Sequence, residues 1–235
     1  MSDLERYSVI KEKNPREIVL LRGFGCTWRR CRFCDYHLDF CKDAAANFAL
    51  NKEVLSHVTG ESGVLEVINS GSFCDLDDDT MQEICRICTE RQIHQIHFEC
   101  YWKHRSLTGS LRQRFSSIGV KAVIKTGVET FDALFRECYL DKGIDTDSPE
   151  EIAAYFDEVC LLQGIPGQTE QSMRHDIETG LQYFKRVCVN IMTPNTSHIK
   201  PDPTVIRVFR ERVYPLYRDN PRVDILMQNT DFGVG

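Results

Sequence analysis

Three cysteines near the N-terminus carry the chemistry that this sequence indicates most directly. Cys26, Cys31 and Cys34 have four residues between the first two and two between the last two. Soft thiolate ligands of this kind bind iron–sulfur clusters and zinc. Three thiolates can hold three irons of a [4Fe–4S] cluster, which leaves the fourth iron open for a ligand that is not protein.

A structural zinc site is an alternative interpretation of the same loop. Zinc sites usually take four protein ligands, and Cys41 or His37 can supply the fourth one here. Ordinary buried cysteines are a further alternative. The spacing alone leaves all three interpretations open.

The composition describes a folded chain in a reducing compartment. Of the 235 residues 42% are hydrophobic, and no apolar run approaches the ~20 residues that a membrane span needs. Eleven cysteines and a charged N-terminus without a secretory segment predict a cytoplasmic protein. A net charge of −6 is unfavourable for nucleic-acid binding, which relies on Lys and Arg. We therefore expect a small-molecule substrate, no nucleic acid and no membrane.

Short apolar runs alternate with helical patterns along the chain. Strands are predicted at 17–25, 63–72, 93–101, 121–130, 157–164 and 186–193, with a further edge strand at 223–230. Helices are predicted at 42–58, 77–91, 103–117, 130–140, 168–184 and 203–218. Six β/α units predict an α/β fold, a partial (β/α)6 TIM-type barrel with functional residues at the carboxyl ends of its strands. No linker divides the chain, so residues 1–235 are predicted to form a single domain.

Most of the other cysteines fit packing better than ligand binding. Four are predicted to be small hydrophobic residues, namely Cys85, Cys88, Cys138 and Cys160. The first two recur at helical spacing within one apolar stripe. Cys74 and Cys100 follow predicted strand ends, so these two can face a site.

The alternation along the strands predicts a polar interior. Lys125 and Glu129 share one face of the strand at 121–130, and His97 and Glu99 share one face of an earlier strand. Polar groups are costly to bury without partners. The interior is therefore predicted to hold a polar ligand.

The cysteine loop resembles the cluster loop of the radical S-adenosylmethionine (SAM) superfamily. In that superfamily SAM chelates the fourth iron and is cleaved reductively to a 5′-deoxyadenosyl radical. The common spacing is three residues and then two, whereas this chain has four and then two. Phe33 stands at the aromatic position of the family. The resemblance implies that Cys26, Cys31 and Cys34 are the ligands and that Cys41 is dispensable.

Four further segments resemble SAM-binding elements in the expected order. Asn69-Ser-Gly-Ser-Phe-Cys-Asp75 takes the place of the segment that binds the methionyl amine, and Glu99 ends the next strand. Thr126-Gly-Val-Glu-Thr130 resembles a Gly-x-Glu-Ser/Thr run, and Gly164-Ile-Pro-Gly167 resembles the segment that lies against the adenine. The resemblance implies these cofactor-binding residues: Phe33, Ser70, Gly71, Ser72, Glu99, Glu129, Gly164 and Ile165.

Within the superfamily two branches share features with this chain. The Ser-Gly-Ser-Phe-x-Asp run is similar to the enzyme of archaeosine formation. The chain as a whole resembles queuosine lyase, which cleaves the glycosidic bond of queuosine 5′-phosphate and releases queuine for nucleobase salvage. This implies a [4Fe–4S] cluster and SAM as cofactors and a flavodoxin or ferredoxin-type reductant. The alternatives are a 7-carboxy-7-deazaguanine synthase, a glycyl-radical activase, and a non-catalytic zinc- or iron-binding module.

Substrate-binding candidates follow from what a 7-deazaguanine nucleotide needs. Cations suit its phosphate, aromatic rings suit stacking, and amides or carboxylates suit the base edge. In that order the candidates are Arg22, Lys103 and Lys125; Trp28 and Tyr36; and Asn190, Asn195, Asn229 and Asp231, with Met192 at a strand end. No residue is assigned to the catalytic step itself.

Overall fold

The structure is a computed structural model that describes residues 4–235 and divides into two compact units. The first unit contains the chain up to residue 27, residues 36–124 and residues 232–235. The second unit contains residues 28–35 and 125–231. Cys26 belongs to the first unit, and Cys31 and Cys34 belong to the second.

The first unit combines four strands with three helices. The strands are β1 (Tyr7–Ile10), β2 (Arg16–Leu21), β3 (Val64–Asn69) and β4 (Gln95–Glu99). The helices are α1 (Ala44–Ser56), α2 (Asp78–Glu90) and α3 (Thr108–Ser116). β2, β3 and β4 are parallel neighbours, and β1 pairs with β2 in the antiparallel sense. β1 was not predicted, because a four-residue strand is too short to show an alternating pattern.

The second unit is built from parallel strands and the helices that connect them. The strands are β5 (Lys121–Glu129), which starts in the first unit, β6 (Glu158–Gln163), β7 (Arg186–Ile191) and β8 (Val223–Leu226). The helices are α4 (Pro149–Ala153), α5 (Glu170–Tyr183), α6 (Pro203–Val208) and α7 (Tyr214–Tyr217). β5 to β8 pair in sequence order. All seven predicted strands are confirmed.

Three predicted helices differ from the observed structure. At 103–117 the first half is a 3-10 helix, Trp102–Leu107, and only Thr108–Ser116 is α-helical. The helix predicted at 203–218 is interrupted by a π-helical turn at Phe209–Val213, next to Pro215, which has no N–H to continue the helical ladder. The helix predicted at 130–140 forms only in part: residues 133–139 are helical, and Phe135–Tyr139 form a π-helical turn. Thr130 Oγ1 accepts from a main-chain N–H two residues later at 3.1 Å, and such local bonds compete with a helix.

Charged residues are buried at the amino ends of the strands. Arg16, which begins β2, forms an ion pair with Glu66 of β3. Arg186, which begins β7, lies 2.8 Å from Glu158 of β6 and 3.1 Å from Asp224 of β8. The predicted polar interior is therefore present, and at these ends its charged groups form ion pairs with one another.

The cysteine predictions are confirmed in part. Cys88 is buried, and burial raises the pKa of its thiol to about 12. Cys85 and Cys160 are partly buried. Cys138 is exposed, so its prediction as a packing residue is wrong; it lies in the π-helical turn rather than on the apolar face of a helix. No helix within residues 4–235 combines the length and apolar character needed to cross a membrane.

Replacing Arg186 by leucine is expected to lower the free energy of unfolding by about 3–5 kcal/mol, because Glu158 and Asp224 stay buried without this cation. The matched control is Lys185→Met, which removes an ion pair with Asp157 from a lysine that is 66% exposed. The control should lose less than ~1 kcal/mol. Urea denaturation measures both, and equal losses would contradict the assignment.

Candidate active site

In the first unit, the segment after β3 packs closely on the loop that contains Cys26. A Cβ atom built on Gly71 would lie 2.2 Å from Asp75 Oδ2 and 3.1 Å from Cys26 Cα. Phe24 N–H donates to the Asp75 carbonyl at 2.8 Å. Only glycine permits so close an approach, so the predicted methionyl-amine segment and the cysteine loop are held together.

Ser72 is a buried residue that fixes the shape of this segment. Its N–H donates to Asp75 Oδ2 at 2.7 Å, and its Oγ accepts from Tyr101 N–H at 2.8 Å. His104 Nδ1 also lies 2.8 Å from the same Oγ. Ser72 is buried, and its N–H and hydroxyl form hydrogen bonds within the protein, so it is placed to position the segment. The sequence predicted a direct contact between Ser72 and the cofactor.

Three predicted cofactor residues of the first unit keep accessible surface. Ser70 and Gly71 are partly exposed, and Ser70 Oγ donates to the carbonyl of Asp39 at 2.8 Å. Glu99, the last residue of β4, is also partly exposed. These groups can meet a ligand at the carboxyl ends of β3 and β4.

His104 was not predicted from the sequence as a residue of the site. Its Nε2 lies 3.3 Å from Thr27 Oγ1, and its Nδ1 lies 3.2 Å from Cys74 Sγ. Cys74, Asp75 and His104 bring their ligand atoms within 4.8 Å of one another. However, Asp75 already accepts from the main chain, and burial raises the pKa of the Cys74 thiol to about 11. The group therefore fits a hydrogen-bonded turn better than a metal site.

In the second unit, the cysteine loop at 28–35 rests on a turn that follows β5. Arg32 N–H donates to the carbonyl of Leu140 at 3.0 Å. The indole N–H of Trp28 donates to the carbonyl of Asp141 at 2.7 Å. The indole N–H of Trp28 thus anchors the loop. The same ring was predicted to stack on a ligand.

An ion pair between Glu129 and Lys142 lies beside the same loop. Glu129 is buried at the end of β5 and accepts from Lys142 Nζ at 2.5 Å. A Cβ atom built on Gly127 would lie 2.6 Å from Glu129 Oε1 and 2.9 Å from Lys142 Nζ, so glycine leaves the room that the pair needs. Lys142 Nζ also lies 5.5 Å from the centre of the Phe33 ring.

The charges around Lys142 favour cysteine thiolates. Burial alone would lower the pKa of Lys142, but Glu129, Cys31 and Cys34 more than offset it, so the pKa is raised and the amine stays charged. A neighbouring cation stabilises the thiolate over the thiol, and the thiolate is the form that binds iron. Within residues 4–235 no cysteine pair forms a disulfide. The residues present therefore fit an iron–sulfur cluster.

Ile165 and Met192 were predicted to contact cofactor and substrate, and both lie in the core of the second unit. Their exposed fractions are 0% and 4%. They pack with Leu140 in an apolar cluster that supports Phe33. Both side chains therefore belong to the apolar core, and the contact predicted for the segment of Ile165 falls to its backbone.

Gly164 and Asn195 use their polar groups to hold neighbouring segments. Gly164 N–H donates to Gln168 Oε1 at 2.9 Å, and its carbonyl accepts from Asp202 N–H at 2.8 Å. Asn195 Nδ2 donates to the carbonyl of Phe33 at 2.8 Å. Asn195 therefore positions the aromatic residue of the cysteine loop, a role that was not predicted.

Two further substrate candidates are engaged in structural contacts. Arg22 Nε donates to Asn47 Oδ1 at 2.9 Å and its Nη2 to the carbonyl of Ala46 at 3.0 Å, which ties Arg22 to α1. Asp231 Oδ2 accepts from two main-chain N–H groups of the preceding turn, at 2.6 and 2.9 Å. Lys125 is buried, whereas four candidates are exposed or partly exposed: Tyr36, Lys103, Asn190 and Asn229.

Comparison with solved structures found proteins of the same fold. Queuine lyase from Clostridium spiroforme, bound to SAM and queuine, is 42% identical with a TM-score of 0.94, and the match covers 99% of this chain and 100% of that chain. SuiB from Streptococcus suis, bound to SAM, is 14% identical with a TM-score of 0.58, over 89% of this chain and 49% of that chain. The SuiB match shows a common fold alone. No family model and no curated protein matches the chain.

The Gly71→Ala substitution is expected to destabilise the protein by about 1–3 kcal/mol and to reduce its iron content after anaerobic reconstitution, because the methyl group forces the segment away from Cys26. Gly109→Ala is the matched control, since a Cβ atom there meets nothing within 4 Å. Thermal unfolding and iron analysis measure the two variants. An iron content in Gly71→Ala equal to that of the control would show that the close packing is not needed.

Proposed function

The chain belongs to the queuine lyase family, and we propose that it is a lyase that releases queuine from queuosine 5′-phosphate for nucleobase salvage. Its predicted membership of the radical SAM superfamily and its α/β fold of the radical SAM kind are confirmed by the full-length match at 42% identity. It is an enzyme. The relative binds SAM and queuine, and we assign the same two ligands to this chain.

One observation carries this proposal: in each unit the cysteine loop lies against a segment that resembles a SAM-binding element. In the first unit Gly71 packs on Cys26. In the second unit Lys142 pairs with Glu129 and lies over Phe33, the aromatic residue of the loop. Cysteine ligands and SAM-binding groups next to each other are what a cluster-bound SAM requires.

Cys26, Cys31 and Cys34 are the proposed ligands of a [4Fe–4S] cluster. Their soft thiolates suit iron–sulfur clusters, and the amine of Lys142 lies over Phe33, between the last two cysteines. When bound, the cluster and SAM supply the hydrogen-abstracting chemistry of the superfamily. The protein contributes binding, orientation and exclusion of water.

The proposed SAM contacts are predicted residues near strand ends. The first unit offers Ser70, Gly71 and Glu99, which keep accessible surface. The second unit offers Glu129, one carboxylate oxygen of which is held by Lys142. The other oxygen is the proposed acceptor for SAM, since a charge-assisted hydrogen bond from a buried carboxylate is among the stronger ones.

The proposed substrate contacts are the predicted candidates that keep accessible surface. Lys103 is the cation for the 5′-phosphate, Tyr36 can stack on the base, and Asn190 and Asn229 offer amides to its edge. A binding site built to hydrogen-bond such a base rejects analogues that leave its polar groups unpaired.

A flavodoxin or ferredoxin-type reductant is the proposed protein partner. Arg29, Arg30 and Arg32 are exposed around Cys31, although the net charge of the chain is −6. Local positive charge on an acidic protein favours docking of an acidic partner. The cytoplasmic location remains a prediction from the cysteine content.

Cys31→Ala is expected to lose most of the iron that wild-type protein takes up anaerobically, because one of three ligands is missing. Cys41→Ala should keep it, since SAM and not Cys41 occupies the open iron in this proposal. Iron and sulfide analysis with the visible absorption spectrum measures both. Iron loss in Cys41→Ala with retention in Cys31→Ala would reverse the ligand assignment.

Anaerobic incubation with queuosine 5′-phosphate, SAM and a reductant should yield queuine and 5′-deoxyadenosine together. The unphosphorylated nucleoside should react more slowly, because the cation proposed for the phosphate loses its partner. Liquid chromatography with mass spectrometry quantifies both products. Equal rates of 5′-deoxyadenosine formation with and without the nucleotide, and no queuine, would refute the lyase function.

A further inference from the structure

Lys142 is a partly buried cation that lies between the carboxylate of Glu129 and the cysteine loop. Its Nζ is 2.5 Å from Glu129 Oε1 and 5.5 Å from the centre of the ring of Phe33, which directly precedes Cys34. Only 12% of its side chain is exposed. A charge in this position is only weakly screened by solvent.

The turn that carries Lys142 is fixed on both sides. Before it, the buried Leu140 accepts from Arg32 N–H at 3.0 Å. After it, Gly143 N–H donates to Glu137 Oε2 at 2.6 Å. The backbone around Lys142 is therefore tied to the cysteine loop and to the π-helical turn, which limits how far its amine can move.

The two charged groups of the ion pair, Lys142 and Glu129, have opposite effects on the reduction of a nearby iron–sulfur cluster. Reduction adds one negative charge to the cluster, so a neighbouring cation stabilises the reduced form and a neighbouring anion destabilises it. Local charge is one of the properties that set the reduction potential of such clusters. Lys142 and Glu129 therefore act on the potential in opposite directions.

We propose that Lys142 is a positioning residue that holds Glu129 and raises the reduction potential of the cluster bound by the cysteine loop. The inference rests on the proposed function in one respect, namely that Cys26, Cys31 and Cys34 hold a [4Fe–4S] cluster. It adds a role for a residue outside every segment that resembles the superfamily. It makes the ion pair a means of adjusting how readily the cluster accepts an electron.

The test is a potentiometric titration of the reconstituted protein followed by electron paramagnetic resonance, without SAM and without substrate. Lys142→Met should shift the midpoint to a more negative potential, and Glu129→Gln should shift it to a more positive one. Lys142→Arg should stay close to wild type, because it keeps the charge. Lys185→Met, which removes an exposed lysine of the same unit, should leave the midpoint unchanged.

Shifts of Lys142→Met and Glu129→Gln in the same direction, or no shift in either, would overturn the proposal. General damage to the site cannot mimic two shifts of opposite sign. If Lys142→Met takes up no cluster, Glu129→Gln decides: a more positive midpoint supports the proposal and an unchanged one refutes it. The predicted shifts without queuine release would leave this inference standing while the lyase function fails.

Discussion

The ion pair between Glu129 and Lys142 is the contact on which the proposed site of the second unit depends. It requires glycine at position 127, since a Cβ atom there would lie within 3 Å of both charged groups. It also needs the irregular end of β5, where Glu129 has a φ of +71°. A non-glycine residue in that region costs roughly 1–3 kcal/mol. The glycine of the Gly-x-Glu run thus provides the space for the ion pair, and its glutamate provides the negative charge.

The first unit follows the same principle with different residues. Gly71 lets the turn after β3 approach the main chain of Cys26, and Asp75 fixes that turn through the N–H of Ser72. In both units a glycine brings backbone or charge next to the cysteine loop, and a neighbouring carboxylate holds the arrangement. Charges at the opposite, amino ends of the strands pair with one another instead, so these ion pairs and the proposed ligand site lie at different ends of the strands.

The sequence predicted the parts that depend on local patterns. The strands are short runs rich in apolar residues, and the motif segments follow them at the carboxyl ends, so both could be placed without a structure. Lys142 and His104 were not predicted from the sequence. Lys142 contacts Glu129 across a turn, and His104 contacts Thr27, which is distant in the sequence. Nothing in the residues next to them marks such a contact.

Three predicted site residues have side chains that make their observed contacts within the protein. Arg22, Ile165 and Met192 stand at strand ends, where ligands bind in this kind of fold, yet their side chains turn to α1 or to the apolar core. Position along a strand predicts the edge on which a residue lies. Only packing decides whether its side chain meets a ligand or the interior.

Iron anomalous diffraction from anaerobic crystals grown with SAM and queuine tests the proposed site most directly. We expect one cluster bound by Cys26, Cys31 and Cys34, with SAM on its open iron and in contact with Ser70 and Glu129. A metal ion bound by Cys74 and His104, or a zinc ion with Cys41 as its fourth ligand, would contradict the proposed site.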